Sequence, residues 1–201
     1  MNELWAVAVI TILAVISPGG DFAMVTRNSL LSGRRSGMMT ALGIALGNWV
    51  HIAYTMIGVA VLVKTAPYLL SWVKVLGAAY LIYIGVQTAL SQPTTALGKS
   101  GSLSDVQSLK LGFLTNALNP KTTLFVVSLY SQVVNIHTPI WQQLGYGLFI
   151  SLTHYVWFAS VAWLFSHERL VQSALSKQTL VNRMIGAVLI ALGVLLGMSS
   201  I

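Results

Sequence analysis

Asp21 is the only charged residue between positions 4 and 26, a stretch otherwise built from apolar and small residues. A carboxylate inside a bilayer costs on the order of 3 kcal/mol or more unless it is paired or hydrated, so it marks a functional position. Its chemistry would be to hold an ammonium group, to carry a proton in transit, or to pair with a cation such as Lys121. Lys121 directly follows Pro120. It can pair with Asp21, draw in a carboxylate, or run its ammonium out to the membrane interface along its apolar stem. His51 follows Gly43 and Gly47 at four-residue spacing, so the three share one helix face. The glycines permit close helix approach, which turns His51 toward a neighbouring helix. Histidine titrates near neutrality and suits a proton relay, or it can serve as a neutral hydrogen-bonding group within the bundle. His154 has the same two readings, with the hydrogen-bonding one ahead. Asn48, Asn116 and Asn119 add uncharged polar contacts, either between helices or to a ligand.

The backbone around the two charges is interrupted. Ser17-Pro18-Gly19-Gly20-Asp21 and Asn119-Pro120-Lys121 each place a proline beside the charged residue of an apolar run. Proline removes a backbone donor and clashes with the preceding turn, and paired glycines loosen a helix further. Carbonyls and amides freed at membrane depth must be buried in protein or line a wet cavity. His51 follows Pro18 by 33 positions and His154 follows Pro120 by 34, so the two motifs recur in register.

These groups need membrane-spanning elements to position them. The chain has 201 residues, of which 56% are hydrophobic and 7% charged, with a mean hydropathy of +0.79. Such a chain cannot cover a water-facing surface, because soluble domains carry about 25% charged residues. Runs 4–26, 37–63, 66–90, 111–134, 139–166 and 184–201 are each apolar over lengths near the roughly 20 residues that a helix needs to cross a bilayer. No β-barrel alternation appears in them, so the expected class is all-α: a polytopic membrane protein of six transmembrane helices. Gly77, Gly85, Gly186 and Gly193 read as close-packing positions in the third and sixth spans. Trp5, Tyr68 and Trp141 read as interfacial anchors.

The polar stretch 91–110 reads as a solvated linker between repeat one (1–90) and repeat two (111–201) of a single transmembrane domain, 1–201. Three spans per half force opposite orientations, so the repeats are inverted, with helices one and four broken where a binding site would lie. The segment 167–183 is either a loop or a brief interfacial helix. Connectors after spans one, three and five hold Arg27, Arg34, Arg35, Lys99, Lys110, Arg169, Lys177 and Arg183, against Lys64 and Lys74 on the other side. The basic side is expected in the cytoplasm and both termini outside.

Composition also excludes functions. With no cysteine there is no disulfide, no thiolate metal site and no thiol redox chemistry. Four acidic residues, Glu3, Asp21, Asp105 and Glu168, are too few for a carboxylate metal cage. The net charge of +7 lies in short gaps between apolar runs, which fits membrane topology and not nucleic-acid binding. The first apolar run has no basic flank before it and no small-residue cleavage site after it, so it reads as a retained span.

The motifs themselves resemble a family. Ser17-Pro18-Gly19-Gly20-Asp21-Phe22, then Arg27-Asn28-Ser29 and Gly33-Arg34-Arg35-Ser36-Gly37, is similar to the first signature of the LysE/RhtB amino-acid exporters. Gly43-Ile44-Ala45-Leu46-Gly47 through His51 resembles the second span of that family, and Leu76-Gly77-Ala78-Ala79-Tyr80-Leu81-Ile82-Tyr83-Ile84-Gly85 the third. Gly112-Phe113-Leu114-Thr115-Asn116 with Asn119-Pro120-Lys121 resembles the fourth. The resemblance covers nearly the whole chain. One departure is Gly20, where the commonest family form has a second proline, which makes the break more pliable.

The resemblance implies a non-enzymatic secondary transporter in the bacterial inner membrane, exporting amino acids or analogues and energised by protons. It implies no cofactor and no metal, with an amino acid, protons and the bilayer as partners. A single membrane acid leaves a second substrate cation without a partner, which favours neutral, homoserine- or threonine-like substrates over the alternative, lysine or arginine. Remote alternatives are a metal-ion exporter and an intramembrane serine protease. The glycine faces could pack within one chain or between two, so a homo-oligomer stays open, as do the amino acid and the coupling stoichiometry.

Overall fold

The computed structural model describes residues 2–90, 103–134, 138–166 and 168–199. Lys99 and the side chains of Lys64, Tyr68, Lys74, Arg169 and Lys177 lie outside the described residues. The described residues form helices and connections only, with no strand: α1 (Asn2–Ile16), α2 (Gly20–Thr65), α3 (Pro67–Leu90), α4 (Asp105–Ala117), α5 (Pro120–Val133), α6 (Ile140–Phe165) and α7 (Glu168–Ser199). The described fold is all-helical.

Three boundaries differ from the sequence-based expectation. The connector 27–36 is helical, because α2 runs on through it and departs from helical geometry only at Gly33, where φ is 82°. That conformation favours glycine, and the chain folds back there. Asn28 donates to the Thr40 hydroxyl at 2.9 Å, whereas the two would lie about 18 Å apart along a straight helix. A second difference is that residues 105–110, expected in the linker, are the first turns of α4. Ser104 and Gln107 form a reciprocal capping box there, with Gln107 N–H donating to Ser104 Oγ and Ser104 N–H to Gln107 Oε1. The third is the undecided segment 167–183, which from Glu168 onward is helical and continuous with the last apolar run in the 32-residue α7.

Two glycine-lined seams hold the bundle. A Cβ on Gly43 would collide with the Leu109 carbonyl, and one on Gly112 with the Thr40 carbonyl, so α2 and α4 touch backbone to backbone. The Ser36 and Ser108 hydroxyls bond across the same seam at 2.8 Å. At the second seam, Gly85 of α3 faces Gly186 of α7, and Gly193 faces Ala78. Small residues let helices approach this closely, and close approach maximises van der Waals contact where lipid offers no hydrophobic drive.

Apolar side chains cover the outside as well as filling the core, and many polar side chains are buried with them. Large apolar side chains ring the outside, with Trp5 and Trp141 each 71% exposed and Ile57 and Leu76 each 67%. Inside are Thr11, Asp21, Asn28, Asn48, His51, Thr55, Asn116 and His154. Ile140–Phe165 is by length and composition apolar enough to cross a membrane, and Gly20–Val59 meets the same measure although it folds back at Gly33. The apolar stretches Val7–Ile16, Ala78–Leu90 and Asn182–Leu195 are shorter. α1, with 15 residues, reaches about 22 Å against a hydrocarbon core of about 30 Å. At the two helix ends Ser17 and Asn119 are buried in the bundle, whereas Leu118 is 77% exposed.

Candidate functional site

Each interruption leaves one helix ending and another beginning, so carbonyl ends and amide ends meet. At the first, α1 stops at Ile16 and α2 starts at Gly20, placing Asp21 in the first turn of α2, where the positive end of the helix dipole favours a carboxylate. At the second, Asn119 caps α5 by accepting from the Lys121 amide at 3.0 Å, and Pro120 occupies the first helical position, where its missing N–H costs nothing.

The other ends are capped by side chains that reach across. Lys121 Nζ donates to the Ser17 carbonyl at 2.6 Å and to Ser17 Oγ at 2.8 Å, so its ammonium sits on the negative end of α1. His51 Nε2 lies 2.8 Å from the Asn116 carbonyl at the end of α4. In a continuous helix that carbonyl would take an amide from position 120, but proline has none. An acceptor carbonyl requires Nε2 to carry the proton, which leaves Nδ1 of the neutral ring to accept from the Tyr54 hydroxyl at 2.7 Å. Asn116 joins the two interruptions, because its Nδ2 donates to Asp21 Oδ2 at 2.8 Å. Asp21, Asn116 and His51 thus form one connected chain of polar groups.

Asp21, Lys121 and His154 line a common cavity of about 20 Å³, together with Ser17, Asn119 and Thr122. A cavity of that size holds about one water molecule. Asp21 is 5% exposed, and its Oδ1 has no hydrogen-bond partner among the described residues. Asp21 and Lys121 are not within ion-pair distance, the only ion pair among the described residues being Arg35–Asp105 at 2.6 Å. His154 donates Nδ1–H to the Ile150 carbonyl at 2.9 Å, leaving Nε2 of the neutral ring as an acceptor. Apolar packing closes the cavity on two sides. Ala14 and Phe125 belong to a cluster with Ile10, Leu129 and Ile150. Val15, Phe22 and Phe158 belong to a second cluster with Val25, Ile44 and Phe165.

An oppositely charged pair, Asp21 and Lys121, thus faces one small buried cavity between helix ends. Residues 12–200 match the model of the LysE type translocator family. The chain belongs to that family.

Among its relatives, this LysE-type translocator is 30% identical to the membrane protein YahN of Escherichia coli, over 94% of the chain and 87% of the relative. It is 30% identical to a threonine efflux protein of Salmonella typhimurium over 83% of each, and 32% identical to a leucine efflux protein of Salmonella choleraesuis over 74% of the chain and 70% of the relative. No solved structure matches. Members of the family are membrane transport proteins, and transport leaves the bonds of the cargo intact.

The site residues named from the sequence divide by position in the translocator. Asp21, Lys121, Asn119 and His154 line the cavity, as does Gly19. His51 and Asn116 lie behind it in the hydrogen-bond chain. Asn48 is fully buried on α2, is not among the cavity-lining residues, and neither of its side-chain polar atoms has a partner among the described residues. Several contributors escaped the sequence reading: Ser17 as the seat of the Lys121 ammonium, Thr122 on the cavity wall, and Tyr54 on His51. Tyr54 stands three residues after His51, a one-turn spacing that could have disclosed it. Ser17 and Thr122 adjoin the two broken motifs, but nothing local tells which way they face.

Proposed function

We propose that this protein exports amino acids from the bacterial cytoplasm, with neutral, threonine- or homoserine-like substrates favoured, and that protons drive the exchange. The observation carrying this reading is the placement of Asp21 and Lys121 on one buried cavity between helix ends. The names of the threonine and leucine efflux relatives support the substrate class. In this reading the ammonium of the substrate takes the free Oδ1 of Asp21 or exchanges there for a proton. The carboxylate takes the ammonium of Lys121 in place of the Ser17 carbonyl. Asp21 is the one carboxylate on the cavity wall, so a lysine or arginine side chain would meet no second anion there.

The cavity is too small for any amino acid, so the described conformation is closed, and one of the two apolar clusters must part to admit substrate from either side. The arrangement that accounts for this is alternating access between two inverted three-span halves, in a six-span protein of the inner membrane with both termini outside. Flux through proteoliposomes carrying Asp21→Asn tests the reading. The variant should lose proton-driven transport by at least tenfold while remaining folded. Undiminished proton-dependent flux removes Asp21 from the mechanism.

A further inference from the structure

Ser17 and Lys121 line more than the Asp21 cavity. On their far side is a larger, half-open chamber of about 370 Å³ at the protein surface, whose remaining wall is supplied chiefly by Tyr83, Val86, Gln87 and Thr88 of α3, with Tyr83, Val86 and Leu90 exposed. The partition between the two spaces is a short chain of polar contacts. Lys121 Nζ holds the Ser17 carbonyl and hydroxyl, and the Ser17 hydroxyl in turn bonds the buried Thr88 hydroxyl. Three helices, α1, α3 and α5, are thereby latched at one point.

We infer that this chamber is the receiving subsite for an α-amino acid with an uncharged side chain, and that the Lys121–Ser17–Thr88 chain is the partition its carboxylate opens. The inference rests on the amino-acid reading above and adds a second site to it. A carboxylate arriving through the chamber competes with a neutral carbonyl for the ammonium, and the ionised acceptor makes the stronger hydrogen bond. Once Lys121 turns to the carboxylate, Ser17 loses one of its two partners and is held to α3 by the Thr88 hydroxyl alone. The chamber wall suits the rest of such a molecule. Val86 and Leu90 offer apolar contact, Gln87 Nε2 bonds the Tyr83 hydroxyl at 2.7 Å to form a polar patch, and among the described residues Lys121 is the only charged one lining it. The α3 wall ends at Leu90, where the chain passes into the connector on the Lys- and Arg-rich side, so the chamber opens toward the cytoplasm.

The absence of cysteine from the chain makes single-thiol reporters clean. Val86→Cys places a thiol in the chamber and Val15→Cys one in the inner cavity, the latter replacing a larger side chain by a smaller one. A membrane-impermeant thiosulfonate should label Val86→Cys in inside-out vesicles and not in intact cells. L-threonine or L-leucine should slow that labelling at least threefold, and L-lysine should not. Adding Thr88→Val, which keeps the shape but removes the hydroxyl, should speed labelling of Val15→Cys several-fold.

Protection of Val15→Cys by an amino acid that leaves Val86→Cys labelling unchanged would overturn the chamber while leaving the inner site intact. If no amino acid protects either thiol, the export reading fails with it. Labelling of Val86→Cys from the outer face, equal protection by lysine, or no effect of Thr88→Val each contradicts the assignment.

Discussion

At the scale of single residues, the same side chains cap helix ends and equip the cavity. Lys121 completes the carbonyl end of α1, and His51 completes that of α4. Substitutions must therefore separate a capping loss from a transport loss. For His51, glutamine is the informative replacement, because its amide can still donate to the Asn116 carbonyl but cannot carry a proton at neutral pH. We expect His51→Gln to keep its melting temperature and its exchange of labelled for unlabelled substrate, while accumulation driven by a proton gradient falls at least tenfold. Unchanged gradient-driven accumulation in reconstituted vesicles would restrict His51 to capping. His51→Leu, in contrast, removes one of two donors to the Asn116 carbonyl, which keeps the Asn119 amide at 2.8 Å; the lost hydrogen bond is worth about 0.5–1.5 kcal/mol, and the variant should unfold at a lower temperature.

Between elements, close backbone approach decides what the seams tolerate. Gly43 and Gly112 face each other's helices so tightly that any Cβ strikes a backbone carbonyl, which has no rotamer to escape into. Gly43→Ala should therefore cost about 1–3 kcal/mol through forced separation of α2 and α4, and the same separation would shift Asn116 relative to Asp21. Gly58 and Gly145 have nothing within 4 Å of a built Cβ. Alanine there should be neutral or should stabilise by up to about 1 kcal/mol through helix propensity. Thermal unfolding in detergent distinguishes the two pairs, and equal losses at Gly43 and Gly58 would refute the seam. The exposed Arg35–Asp105 pair at the top of this seam is a minor contributor, since its guanidinium is 84% accessible to solvent.

Across the whole molecule, α3 from the first half packs on α7 from the second. A Cβ on Gly197 would lie 3.6 Å from that of Ala78, within the range a disulfide spans. The double variant Ala78→Cys/Gly197→Cys should cross-link under mild oxidation. With a protease site placed in residues 91–102, the cut halves should run together until reduced. Free halves after oxidation and cleavage would mean that α3 and α7 do not pair in the membrane. The pairing matters for function, because any rocking of one half on the other must either carry this seam along or slide it.

Much of the architecture is legible along the chain because it is governed by local chemistry. Apolar runs with few charges demand lipid and helices, prolines with glycines end helices, and glycines at four-residue spacing mark close seams. Asp21 and Lys121 announce themselves because a charge in an apolar run is costly wherever the chain goes. The finer boundaries were less visible. The Ser104–Gln107 capping box sat inside a stretch read as linker because its composition is polar, and the fold-back at Gly33 left no break in helical content. What only the tertiary structure decided is which groups meet. Lys121 sits on Ser17 and not on Asp21, Asn116 bridges Asp21 to His51, and Ser17 with Lys121 divides a small cavity from a larger chamber. Those contacts join residues some 65 to 104 positions apart. Their directions depend on how whole helices rotate and seat against one another, and no local pattern encodes that.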